Sequence, residues 1–209
     1  MKTLLLLALL TPATYAGQLN IDYSSFYNHL KKIDKAELNA LQFAFGFKRV
    51  QQETLCHITK AEVVTQKVTL AVEVNAAQRF TLPNEKALKL ANAEVLVDLI
   101  EPNNQCDMSV QLETKAEYLK TRYSAADLNV LNQQYKTFFD DMGSFLSFLM
   151  PSTGGLKLVF AEPPRLNKEL EGVLVKGNSI ILSDAYLASM QNELVLAEKP
   201  LRITAEINK

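Results

Sequence analysis

The residues able to do chemistry are few: two histidines (His29, His57), two cysteines (Cys56, Cys106) and one adjacent acid pair, Asp140-Asp141. A Ser-His-Asp site needs a histidine base. His29 falls on the polar side of a basic amphipathic segment, a solvated position, and His57 follows Cys56 in a β-like run, a surface or rim position. Two imidazoles without a defined carboxylate make no metal set. Asp140 and Asp141 invite acid/base work, but neighbours on a helix point about 100° apart and do not converge on one substrate atom. No G-x-S-x-G, S-x-x-K, P-loop, G-x-G-x-x-G, H-E-x-x-H or EF-hand pattern occurs. No catalytic, cofactor-binding or metal position is therefore expected, and no cofactor. An envelope hydrolase with an unfamiliar site stays open as an alternative, with His29, His57, Asp140 and Asp141 as its titratable candidates.

The start of the chain bears on how the cysteines read. Met1-Lys2 is a short positive segment, Thr3 to Leu10 is almost unbroken apolar sequence, and Thr14 and Ala16 are the small residues of a signal-peptidase site. The expected mature chain begins at Gly17 and is periplasmic. Its charge is close to balanced, since loss of Lys2 leaves 21 basic against 23 acidic side chains. That balance, without a basic patch, gives no attraction for nucleic acid, and nothing after the signal is long and apolar enough to cross a bilayer. In an oxidising compartment Cys56 and Cys106 read as one structural disulfide.

The elements that would position these residues follow from periodicity. Tyr23 to Ile33 predicts a short helix capped by Ser24 or Ser25. Leu41, Phe43, Phe45 and Phe47 alternate with smaller or polar residues, as on a strand with one apolar face. Further strands are expected over 55–64 (with an irregularity), 68–74, 79–82, 94–100 and 108–113, with a short helix opening at Pro83-Asn84. Ala125 to Met150 carries Leu128, Leu131, Tyr135, Phe138, Met142, Phe145 and Leu149 at alternating 3-4 spacing, a long amphipathic helix stopped by Pro151 and a Gly154-Gly155 loop. A strand over 156–160, a hairpin at 176–178, a short helix near Ser183-Asp184 and strands over 193–197 and 201–207 complete an α+β chain of mostly antiparallel sheets. Val72–Asn84 and Val173–Asp184 share a strand-turn-strand-helix plan about 100 residues apart. One mature unit, 17–209, built of related halves 17–122 and 123–209, accommodates that plan.

Beyond Met142 the long helix loses its polar face, so Phe145, Phe148, Leu149 and Met150 form a candidate binding patch, with core burial as the alternative. Asp140-Asp141 disfavour anionic lipid there.

Tyr23-Ser24-Ser25-Phe26-Tyr27 with Leu30-Lys31, the run Leu41 to Phe47, and Cys56-His57-Ile58 resemble a family of exported Gram-negative bacterial proteins of about 200 residues, classed as a domain of unknown function. The resemblance implies the periplasm and brings no functional residues with it. The expectation is a non-enzymatic periplasmic protein that binds a partner protein or an apolar or envelope ligand through a groove near the end of the long helix. A purely structural accessory subunit is the third reading, and the oligomeric state is left open.

Overall fold

A computed structural model describes residues 17–143, 152–165 and 171–208. The first half comprises β1 (Gly17–Asp22), α1 (Tyr23–Leu30), β2 (Leu41–Arg49), β3 (Ile58–Val64), β4 (Thr69–Val72), α2 (Lys86–Leu90), β5 (Glu94–Leu99) and β6 (Cys106–Thr114). The second comprises β7 (Arg122–Tyr123), α3 (Ala125–Gly143), β8 (Thr153–Val159), β9 (Val173–Lys176), β10 (Ser179–Ser183), α4 (Asp184–Ser189), β11 (Leu194–Val195) and β12 (Arg202–Ile207). Four-stranded sheets run β1-β5-β3-β4 and β12-β8-β10-β9, and two ribbons pair β2 with β6 and β7 with β11. Among the described residues every strand pairing is antiparallel. The fold is α+β, and the irregularity expected in the second strand is a register shift between Ile58 and Lys60.

Alternation explains most of this. The β2 phenylalanines 43, 45 and 47 are buried together against Phe26 of α1, Phe80 and Phe138 of α3. Ring centroids of Phe26 and Phe45 lie 4.9 Å apart edge-on, and those of Phe43 and Phe138 lie 5.8 Å apart. Because Phe138 belongs to the second half, one apolar cluster draws on both halves.

Three local expectations change. The entry of α1 is fixed from outside: Tyr23 N–H donates to Ala93 O at 2.9 Å, while the cap residue, Asp22, makes no side-chain cap bond. Ser24 and Ser25 lie inside the helix, which ends at Leu30. Gly154 and Gly155 are not a loop but the start of β8. Gly155 has φ +135°, and a Cβ there would sit 2.0 Å from Leu182 O, so only glycine lets β8 and β10 approach. The apolar stripe of α3 also leaves the core at Met142, which is 41 % exposed, whereas Leu128, Leu131, Tyr135 and Phe138 are buried. The rest of that stripe, Phe145 and Leu149, together with Phe148, Met150 and the 1–16 segment, lies outside the described residues.

The two halves pair their strands in the same order. Phe45 of β2 faces Val110 of β6 on one side and Phe80 on the other, and Phe80 bridges back to Val74. Leu158 of β8 faces Ile203 of β12 and Ile180 of β10, and Ile180 faces Val175 of β9. β1 precedes α1 and pairs with β5, as β7 precedes α3 and pairs with β11. The β3–β4 hairpin is extra to the first half and widens its β1–β5 ribbon into a sheet. The halves meet where β6 runs beside β12. On the core side of this seam the buried Tyr135 hydroxyl donates to Ile203 O at 2.6 Å and shares a 3.1 Å hydrogen bond with Thr114 Oγ1.

Candidate functional site

The residues singled out for chemistry have other partners. Cys56 and Cys106 are joined in a disulfide with Cα atoms 6.3 Å apart, closing the end of the β2–β6 ribbon. Glu101 lies beside them, but both sulfurs are spent in the bond, so the trio offers no metal ligand set. Glu101 instead pairs with Arg49 and accepts the His57 N–H at 2.8 Å. Burial alone would raise its carboxyl; hydrogen bonds from backbone N–H groups and from Arg49 outweigh that and hold it low. His57 is exposed. His29 is half-buried rather than fully solvated: its ring packs edge-on to Phe43 and Phe45, at 5.5 and 6.2 Å, because α1 lies across β2. Burial there, reinforced by Lys32, lowers its affinity for a proton. Asp141 is tied to Lys35 at 2.6 Å, and Asp140 points to solvent. Among the described residues, no hydrogen bond or ion pair joins any two of His29, His57, Asp140 and Asp141.

A cleft of 580 Å³ opens at the ends of β8, β10 and β11. Its floor includes Phe160, Ile180 and Leu196; Pro163, Pro164 and Ala197 form walls, and Glu162, Arg165 and Glu198 stand at its rim. The position of each wall has a cause. Phe160 N–H donates to Asn178 O, and Asn178 Nδ2 returns a hydrogen bond to Phe160 O, both at 2.8 Å, so the β9–β10 turn clamps the end of β8. Leu196 N–H donates to Thr121 O at 2.8 Å, which holds the opposite wall. Pro163-Pro164 cannot continue a central strand, so the chain leaves the sheet and rims the hollow instead. The volume and the mixed apolar and polar lining suit a small ligand or a short peptide segment.

A second arrangement was not visible from motifs. The outer face of the β6–β12 seam carries Gln42, Ala44 and Gly46 of β2, Ser109, Gln111 and Glu113 of β6, and Arg202 and Thr204 of β12. Arg79 lies over it, 8 % exposed, and Glu113 is 7 % exposed. Arg79 Nη1 donates to Ala44 O at 3.4 Å and Ser109 O at 3.3 Å, and Nη2 donates to Ser109 Oγ at 3.1 Å. Gly46 makes room for this strap, since a Cβ would fall 2.8 Å from Gln78 O and 3.5 Å from Arg79 Cγ. Gln42 Nε2 donates to Glu113 Oε1 at 3.2 Å. Burial raises the Glu113 carboxyl against the pull of Gln42, Arg202 and Arg79. Burial likewise lowers the Arg79 guanidinium, repulsion from Arg202 adds to that, and Glu113 opposes it. Arg79 Nε, Arg202 Nε and Gln111 Oε1 are buried without a hydrogen-bond partner among the described residues. The sequence did hold one signal: Ala44 and Gly46, both small, alternate with the β2 phenylalanines, as they must where a side chain lies across the strand.

Residues 15–160 match the family described as Protein of unknown function (DUF2987). The chain belongs to this family. The matched segment covers the first half, with Arg79 and Glu113, and runs on through β8. Most of the cleft lining and Arg202 follow it in the sequence. No curated protein and no solved structure matches the chain. Among the described residues, no helix is long and apolar enough to cross a membrane.

Proposed function

We propose that this is an exported, periplasmic, non-enzymatic protein that binds a partner segment or an apolar ligand. The observation that carries the reading is the cleft at the ends of β8, β10 and β11, with its apolar floor and charged rim. The signal-like residues 1–16 and the Cys56–Cys106 bond support export, because such a disulfide persists where thiols are oxidised. The described lining, an apolar floor with Glu162, Arg165 and Glu198 at its rim, supports binding of a segment that is apolar with a polar or charged end. Phe145, Phe148, Leu149 and Met150, which lie outside the described residues, stand as a second binding patch on the apolar character of their sequence.

The test fills the cleft without touching the core. Ala197 is exposed on the wall, so Ala197→Trp blocks the hollow and leaves the fold intact. An anilinonaphthalene sulfonate probe should bind the native mature chain at one saturable site and lose that site in Ala197→Trp at unchanged melting temperature. Equal binding by both proteins, or none by the native chain, removes the cleft from the proposal. Intact-mass measurement of the exported protein tests the other half, with Gly17 as the expected first residue.

A further inference from the structure

We infer that the outer face of the β6–β12 seam is an oxyanion site, in which Arg79 and Arg202 hold a carboxylate or phosphoryl group. The site is separate from the cleft. Arg79 and Arg202 both act on the Glu113 carboxyl through their charge, without a direct ion pair to it among the described residues, and its Oε1 accepts from Gln42. Arg79 is more than nine-tenths buried; three of its five N–H groups go to Ala44 O, Ser109 O and Ser109 Oγ, which leaves Nε–H and one Nη2 hydrogen without an acceptor among the described residues. Arg202 reaches the same face from the other half of the chain and has its own buried, unpartnered Nε–H.

A buried N–H without an acceptor is costly, more so on a charged group, so two on guanidiniums of the same face favour an acceptor there. An oxyanion supplies both the acceptor oxygens and the negative charge that the pair of arginines exceeds. Gln111, on the same face of β6 between Ser109 and Glu113, adds a buried amide oxygen able to accept from the protonated oxygen of a monohydrogen phosphate or a carboxylic acid. Access is from the side of Gln42, Gln111 and Arg202, which are all partly exposed, whereas Arg79 and Glu113 form the closed end. Glu113 competes with the ligand for the guanidiniums, so neutralising it favours occupancy.

The experiment titrates the purified chain with inorganic phosphate or succinate, against chloride at matched ionic strength, and follows the arginine Nε–H resonances by NMR. Saturable movement of buried arginine signals with phosphate alone identifies a phosphoryl site; with succinate alone, a carboxylate site; with both, a general oxyanion site. Arg202→Gln should weaken binding about tenfold or more, the loss of one charge-assisted hydrogen bond. Glu113→Gln should strengthen it. Should Arg202→Gln fail to fold, the native titration and the Glu113→Gln comparison still decide. No anion-specific, saturable shift in the native chain, or unchanged affinity in a folded Arg202→Gln, overturns the inference.

Discussion

At Glu113 two opposing effects set a pH response. Removal from water favours the neutral acid, while Gln42, Arg202 and Arg79 favour the carboxylate, and the first dominates. The folded-state pKa therefore lies above the unfolded value, and the folded chain binds this proton more tightly. The group's stabilising contribution is complete below the unfolded carboxyl pKa and is lost as pH rises through the folded one. Glu113→Gln fixes the neutral shape at every pH. The stability of the variant minus that of the native chain, from urea unfolding, should thus grow as pH is raised from the ordinary carboxyl range upward. A difference that shrinks over that rise would sink the assignment. Legibility at this scale was uneven. Cys56 and Cys106 were readable because two cysteines after an export signal permit one pairing. Arg79, Glu113 and Arg202 were not, because a charged residue in an alternating strand looks the same whether its face meets water or a second layer.

Elements were read more securely than their ends. Period-two runs gave β2, β4 and β6, the turn at 176–178 gave β9 and β10, and the 3-4 spacing gave the buried face of α3. Helix entry depended on hydrogen bonds that sequence position only suggests. Ser124 forms a reciprocal cap at α3: Asp127 N–H donates to Ser124 Oγ at 3.1 Å, and Ser124 N–H and Oγ–H both donate to Asp127 Oδ2 at 2.9 Å. At α1 no serine does this; Ala93 O, just before β5, accepts the Tyr23 N–H instead. The contrast yields a paired prediction. Ser124→Ala should cost about 1 kcal/mol in urea unfolding, whereas Ser24→Ala, with no cap bond to lose, should stay within about 0.5 kcal/mol of the native chain. Equal losses would mean that the cap at Ser124 is not what holds the start of α3.

For the whole molecule, the matching pairing orders lead us to propose that the chain is an internal duplication with the β3–β4 hairpin and the disulfide added to the first copy. Sequence offered the strand-turn-strand-helix repeat; it could not offer the seam, since contacts between β6 and β12 leave no local period. That seam decides how the halves behave. Two independently stable copies would melt separately. Here Phe43 packs on Phe138, Ala40 N–H donates to Gln134 Oε1 at 2.8 Å, and the fully buried Tyr135 hydroxyl links Ile203 O of its own half to Thr114 of the other. Each copy thus finishes its core with side chains from the other. Calorimetry should show one transition with equal calorimetric and van't Hoff enthalpies. Tyr135→Phe leaves Ile203 O without its donor at a cost of about 1–3 kcal/mol, and should move that single transition down as a unit, by about 2–4 °C per kcal/mol for a chain of this size. If the peak instead splits in the variant, the seam is an interface between two folding units, and the duplicated halves have kept separate stabilities.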